Sequence, residues 1–380
     1  MTQLKRALGL AECVFFGVGS ILGAGIYTLI GKVAGLSGNF IWLSFMIASV
    51  AAMCTAFSYA ELSAAFPKSG GEYVYAKKAF GQKTGTFLGV MISLNGIVSG
   101  ATVAVGFAGY LSGLLPVNSL IGSLGIIALI FIVNASGIRQ SSVINVVFTL
   151  VEAAGLVFVI VAAFPAIGAV SYTELPPGGY SDILAGSALA FFAYIGFEDI
   201  MKLAEETKNP EKNIPRALFI SSIIVVVLYS LVAVCVVSAL PYETLSNSKS
   251  PLADIIGHQF GTTGILIISV IALFSTSNTI LSNMLGSSRV LLNMSSEVRI
   301  FRPLSYVLPK RKTPVVALVL IMAAMCGFAF IGKIETIARI ATIFIFITFI
   351  IVNLSVVVLR IRQKDIARPS EFHSTLKIYQ

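Results

Sequence analysis

Gly17-Val18-Gly19-Ser20-Ile21-Leu22-Gly23-Ala24-Gly25-Ile26-Tyr27 lies inside an apolar run that covers roughly residues 10–34. A helix needs about 20 apolar residues to cross the hydrocarbon layer of a bilayer, so this run is long enough to span it. Gly17, Gly19, Gly23 and Gly25 fall near its middle. Each weakens a helix interior by about 1 kcal/mol relative to alanine, and together they permit an unwound stretch. Bare N–H and C=O groups go unsatisfied in lipid, so unwound backbone at that depth has to line a cavity. Close helix packing through small residues is the other reading of the same glycines.

The rest of the chain repeats the apolar theme. Hydrophobic residues make up 57% and charged residues 11%, with a mean hydropathy of +0.93. A soluble domain could not hide that much apolar surface. Spans are expected at roughly 10–34, 39–65, 85–114, 118–135, 142–166, 182–202, 215–240, 263–294, 314–332 and 336–360. The connections are short and hold no soluble domain. If the N-terminus is cytoplasmic, only Lys32, Lys249, Lys333 and Arg339 of the 26 basic residues fall outside, and 22 lie inside. That bias sets the orientation: both termini are cytoplasmic in a multi-pass protein of the cell membrane. The net charge of +9 then faces anionic lipid of the inner leaflet, and no nucleic-acid partner is expected. The first run is a full span without a convincing cleavage site, so no removable leader is expected. Cys13, Cys54, Cys235 and Cys326 sit within apolar runs and lack metal-ligand spacing, which reads as free thiols.

A second interruption lies in span six, at Phe191-Phe192-Ala193-Tyr194-Ile195-Gly196-Phe197-Glu198-Asp199. A glycine precedes two carboxylates in the middle of an apolar segment. Span six comes five spans after span one, and an odd offset turns the second copy of the unit upside down. Interrupted segments at matching positions of two inverted halves point to a transport site. The expected fold is all-α: a polytopic 5+5 inverted-repeat bundle of ten spans with helices one and six broken. Residues 1–166 form the first repeat, 182–361 the second and 362–380 a cytoplasmic tail. No residue identity between the halves supports the repeat, which rests on topology. A half-helix starting at a break aims free N–H groups and its positive end into the cavity, which suits a carboxylate. One ending there offers carbonyls, which suit an ammonium group. Two antiparallel broken helices therefore suit a zwitterion such as an α-amino acid.

These motifs resemble the amino acid permeases of the amino acid–polyamine–organocation superfamily, which have the leucine-transporter-type fold. Gly23-Ala24-Gly25-Ile26 is similar to the span-one substrate motif of that family. Tyr59, Glu61 through Pro67, Gly70, Gly71, Tyr73 and Tyr75 resemble the signature of its second loop. Phe192 through Glu198 resemble its span-six motif, and Glu205-Glu206-Thr207-Lys208-Asn209-Pro210 with Ile214-Pro215-Arg216 the loop beyond. Ser288-Arg289 and Thr313-Pro314 resemble the end of span eight and the start of span nine. Each piece is weak alone; their order and spacing carry the resemblance over nearly the whole chain. It implies that amides around Gly23, Ala24 and Gly25 bind a substrate carboxylate. Carbonyls near Ile21 and of Phe192, Ala193 and Ile195 would take the amino group. Side chains near Ile26, Tyr194 and Phe197 would shape the side-chain pocket. Ser99 and Thr102 are polar candidates in span three, although such residues commonly bond their own helix.

Two departures from the family stand out. Asn145, Thr149 and Glu152 fall at i, i+4 and i+7 on one face of span five, where some proton-coupled relatives carry a lysine in place of a sodium ion. An ionisable residue at this depth is costly and marks function by default. Glu152 could gain and lose a proton, attract a cation, or be a structural carboxyl. Ser275, Thr276, Ser277, Asn278 and Thr279 of span eight would face it with oxygens fit for either role. Glu198 and Asp199, below the span-six break, suit a gate or a helix-end interaction. The other departure is length: the family usually has twelve spans, and here ten are followed by Arg368-Pro369. The last pair is peripheral in the resembled fold, so the site should survive in a short form or in a fragment.

The expected function is a secondary active transporter of amino acids, working by alternating access with proton coupling or exchange. A polyamine or other amine transporter and a non-transporting amino acid receptor are the alternatives. The partners implied are an amino acid, a coupling proton and the lipid bilayer. No cofactor or metal is expected, and an enzyme would need converging nucleophiles, acids or ligands that the sequence lacks.

Overall fold

The computed structural model describes residues 6–248, 250–331 and 334–362. The described residues are helical throughout, with no strand beyond one isolated bridge between Leu8 and Thr207. In chain order the helices are α1 Leu10–Leu22, α2 Ala24–Ser37, α3 Ile41–Ala65, α4 Glu72–Phe80, α5 Gln82–Leu114, α6 Ser119–Ser136 and α7 Ile138–Ala163. They continue with α8 Tyr180–Phe191, α9 Pro210–Ala239, α10 Tyr242–Asn247, α11 Pro251–Ser295, α12 Val315–Ile331 and α13 Ile334–Arg362. A ten-residue 3-10 helix, Phe197–Glu206, follows α8 after a short turn.

Nine of these stretches are long and apolar enough to cross a membrane, and Val315–Phe330 is a shorter apolar helix where the ninth span is expected. The apolar surface confirms the class. Val50, Ile121, Val161 and Ile350 are each about 60% exposed, which only lipid would tolerate at this density. Local chemistry sets several starts. Pro210 and Pro251 open α9 and α11, where the missing N–H costs nothing. The Asn118 side chain accepts the Leu120 N–H at 2.9 Å and caps α6. The span expected at 263–294 is longer in the structure, because α11 runs on from Pro251 through a kink at Gly261, where φ is +60°.

Packing places the two interrupted segments at the centre. Helix α1 packs on α9 and α7, α2 on α8 and α10, α3 on α9 and α8, and α11 on α5 and α7. At the basic end the elements are tied by charge. Arg289, fully buried near the end of α11, grips Glu206 through Nε at 3.0 Å and Nη2 at 2.9 Å. Both oxygens of the carboxylate are used, as a buried ion pair requires. The Ala7 and Leu8 amides donate to the Glu206 carbonyl beside it, at 2.9 and 3.0 Å. The tail at 363–380 lies outside the described residues.

Candidate functional site

Both expected interruptions are present, and they touch. Helix α1 ends at Leu22, Gly23 leaves helical geometry at φ −24° and ψ −167°, and α2 restarts at Ala24. In the other segment α8 ends at Phe191 and Phe192–Tyr194 form a 3-10 turn. Ile195 is extended (φ −63°, ψ 139°) and Gly196 takes φ +123°. That φ is open to glycine and strained for other residues. Space imposes the same choice: a Cβ on Gly196 would sit 2.3 Å from the Ser20 carbonyl oxygen, and one on Gly25 3.2 Å from Ala193 Cα. The two breaks are in backbone-to-backbone contact. A ten-residue 3-10 helix is long for its kind and leaves poorer hydrogen bonds, as expected of a segment built to move or to bind.

A cavity of about 250 Å³ opens beside this contact. Ser20, Ile21, Gly23 and Gly25 form one wall, and Phe192, Ala193, Ile195 and Gly196 another. Helix α5 supplies Ile92, Asn95, Ser99, Thr102 and Val103; α11 supplies Thr279, Ser282 and Asn283; α13 adds Ile345. Ile92 to Thr102 corresponds to about 15 Å of helix, so the cavity runs well beyond the breaks. At its other end, on the basic side, stand Glu72, Asp199 and Lys202, with Glu198 reaching back to the Gly196 N–H of the break.

Of the residues the family pattern nominates, Ile21, Gly23, Gly25, Phe192, Ala193 and Ile195 line this cavity, as do Ser99 and Thr102. Ala24 lies between two lining glycines at the start of α2. The carbonyls are partly engaged: Tyr229 donates its hydroxyl to Ile21 O at 2.9 Å, and the Ile195 N–H bonds Phe192 O at 3.3 Å. Ile26, Tyr194 and Phe197 are not among the lining residues. Ile26 is fully buried. Tyr194 donates to Phe45 O at 3.2 Å and packs against Tyr229, while Phe197 stacks on Phe349. Asn95, Ser282, Asn283, Glu72 and Lys202 were not nominated as substrate contacts from sequence. Asn95 was legible in principle, since it shares one helical face with Ser99 and Thr102 at i, i+4 and i+7. Its amide has no hydrogen-bond partner among the described residues.

A second polar cluster lies on the opposite side of α1, between α7 and α11. Asn145 Nδ2 donates to Asn278 Oδ1 at 2.7 Å. Asn278 Nδ2 donates to Glu152 Oε2 at 2.9 Å and to Thr149 Oγ1 at 3.2 Å. Thr149 donates in turn to the Phe15 carbonyl of α1 at 3.2 Å, and Tyr27 of α2 donates to the Glu152 carbonyl at 3.2 Å. Asn145, Thr149, Glu152, Ser275 and Asn278 are at most 1% exposed. Three oxygens there have no partner: Asn145 Oδ1, Glu152 Oε1 and Ser275 Oγ. Thr276 stands apart, turning its hydroxyl to the Ala272 and Leu273 carbonyls of its own helix. No group of three or more metal-ligating side chains occurs among the described residues.

Comparison with known proteins fits this geometry. A family model described as amino acid permease matches residues 8–378. The chain is 32% identical, over 94% of its length and 64% of the relative's, to "Cationic amino acid transporter 4, vacuolar" of Arabidopsis thaliana. It is 28% identical, over 96% and 83%, to "Branched-chain amino acid permease BcaP" of Bacillus subtilis (strain 168). The chain thus spans somewhat under two thirds of the length of the plant relative. In fold it resembles a Na+-coupled sialic acid symporter solved in a substrate-bound outward-open state, with a TM-score of 0.62, 14% identity, and 93% and 78% of the two chains covered.

Proposed function

The chain belongs to the amino acid permease family, with a leucine-transporter-type fold, and from that premise we propose that it is an amino acid transporter working by alternating access. The observation that carries this reading is the contact of two broken helices beside a cavity. The α-carboxylate of a substrate sits at the start of α2, on amides around Gly23, Ala24 and Gly25, where the helix presents its positive end. The α-ammonium group is held by carbonyls of Phe192, Ala193 and Ile195, and by Ile21 alongside the Tyr229 hydroxyl. Neither group needs a side-chain charge. The substrate's own side chain extends along α5, past Asn95 and Ser99.

Glu152 is the coupling group of this proposal, with Asn145, Thr149 and Ser275 around it. Glu152 Oε1 and Asn145 Oδ1 are acceptors without a partner, and the Ser275 hydroxyl is an unused donor in the same cluster. A proton on the carboxyl supplies a donor where acceptors crowd. Thr149 donates to the Phe15 carbonyl of α1, and Tyr27 of α2 donates to the Glu152 carbonyl, so a change of charge at Glu152 reaches both halves of the broken helix. Protonation then biases the equilibrium between two conformations, as any ligand with differential affinity does. The cavity reaches towards the basic end, which the charge bias of the loops assigns to the cytoplasm, and the cell membrane is the proposed location.

The plant relative is named for cationic amino acids and the bacterial one for branched-chain amino acids, so α-amino acid recognition is the shared element. The test is uptake of labelled amino acids into proteoliposomes containing the chain, with and without a pH gradient. Saturable accumulation is expected. Binding without accumulation would support a receptor instead, and the absence of both would refute the proposal.

A further inference from the structure

Four ionisable side chains crowd the far end of the cavity, and their charges do not balance. Glu72, Glu198, Asp199 and Lys202 are 0%, 4%, 7% and 6% exposed, and all four line the cavity. Lys202 donates to Asp199, and that pair neutralises itself. Glu198 accepts the Gly196 N–H at 2.9 Å. Glu72 reaches in from α4, accepts the Tyr59 hydroxyl at 3.3 Å through Oε1, and leaves Oε2 with no partner. Two of these buried carboxylates are therefore left without a cation of their own. An uncompensated buried charge costs several kcal/mol. The carboxyl responds as a site short of positive charge should: burial pushes Glu72 above the usual carboxylate range, while Lys202 pulls it down.

We propose that Glu72 is a specificity residue, whose free Oε2 receives the ammonium or guanidinium group of a substrate side chain entering from the helix breaks. This rests on the reading of the cavity as an amino acid site and adds to it a second, charge-reading end. With the α-carboxylate and α-ammonium groups held at the breaks, a long aliphatic stem such as that of lysine follows the α5 wall to the far end. Its charge pairs with Glu72 and turns the desolvation penalty of that carboxyl into a charge-assisted hydrogen bond. Lys202 plays the opposite part. Its ammonium group already occupies Asp199, and the Gly196 N–H holds Glu198, which leaves Glu72 Oε2 as the acceptor for a substrate cation. A neutral side chain of the same length would leave Glu72 Oε2 unmatched, which sets the discrimination.

Lysine and norleucine separate the parts of this proposal, because they share the α-groups and the stem and differ in the terminal charge. Equilibrium binding of both is measured on the full chain in lipid nanodiscs at neutral pH. Lysine is expected to bind at least about tenfold more tightly, the range of one charged hydrogen bond. Glu72→Gln should abolish that preference while leaving norleucine within about twofold. Lys202→Met should move in the other direction and strengthen lysine binding alone, which guards against a Glu72 variant that merely misfolds. Equal binding of the two ligands by wild type, or equal weakening of both by Glu72→Gln, overturns the subsite, the missing positive charge then being a bound proton; the amino acid reading survives. Binding of neither ligand overturns both.

Discussion

The two faces of span one meet opposite environments. On one side Gly23 and Gly25 border an open cavity. On the other, Gly19 is pressed against a closed cluster: a Cβ there would lie 2.0 Å from Thr149 Oγ1 and 2.5 Å from Asn278 Nδ2. The same residue type borders a cavity on one face and a close-packed polar cluster on the other. In the proposed mechanism the open face takes up substrate and the closed face senses the charge of Glu152. Both are attached to the same broken helix, so neither can change without the other feeling it.

The largest effect should come from filling the open face. A Cβ on Gly25 is already tight against Ala193, so Gly25→Leu wedges the two breaks apart and covers the amides at the start of α2. Substrate binding should disappear from a titration of the reconstituted protein, with folding checked by size-exclusion chromatography. Unchanged affinity would falsify the assignment of the carboxylate site.

Overfilling the closed face should do something different. Gly19→Ala forces Thr149 and Asn278 aside, and overpacking of this kind costs about 1–3 kcal/mol. A lower melting temperature is expected, with a weakened pH response of uptake and substrate affinity retained within a few-fold. If affinity falls as far as it does in Gly25→Leu, the two faces are one site and the division fails.

A gentler probe of the closed face is Glu152→Gln. Glutamine nearly keeps the shape and still accepts from Asn278, so packing persists, yet it cannot titrate. Uptake should become largely independent of pH, while binding at a single pH changes little. The proposed coupling also requires uptake without sodium. Superimposable pH profiles for wild type and variant, or strict sodium dependence, would make Glu152 structural.

How much of this was legible from sequence follows the same division. The breaks were visible because glycine clusters and paired carboxylates are anomalies in an apolar segment, and Gly23, Gly25 and Gly196 sit where that reasoning put them. The Asn145–Thr149–Glu152 face was visible from helical spacing alone, and Asn278 joined it from a run of polar residues. What spacing could not give was direction. Tyr194 and Phe197 flank the break, but the turn at Ile195 and Gly196 rotates them into aromatic packing with Tyr229 and Phe349. Glu72 and Lys202 were hidden for another reason. They lie on separate elements, 130 positions apart in the chain, and meet only because α4 folds back under the bundle. A polar residue in a loop signature looks solvated until its neighbours are known.

A third region calibrates the other two, because there the charges are paired and partly exposed to solvent. Glu297, just beyond α11, pairs with Lys77 of α4 and accepts the Tyr73 hydroxyl at 2.6 Å. Both charged side chains are about 30% exposed. Burial alone would raise the Glu297 carboxyl, but Lys77 and Tyr73 outweigh it and hold the group below the usual carboxylate range. A depressed folded-state pKa stabilises the fold above the unfolded value and loses that contribution as the pH falls through the folded one. At neutral pH the pair therefore contributes in full, yet solvent limits it to about 1 kcal/mol or less, and salt reduces it further. Glu297→Gln should lower the melting temperature only slightly at neutral pH. The gap should close in strong acid, where wild type is protonated too. Substrate affinity and the pH profile of uptake should both stay at wild-type values. A shift in either would mean that α4, which also carries Glu72, transmits charge from the surface into the cavity, and the two-faced account of span one would need a third input.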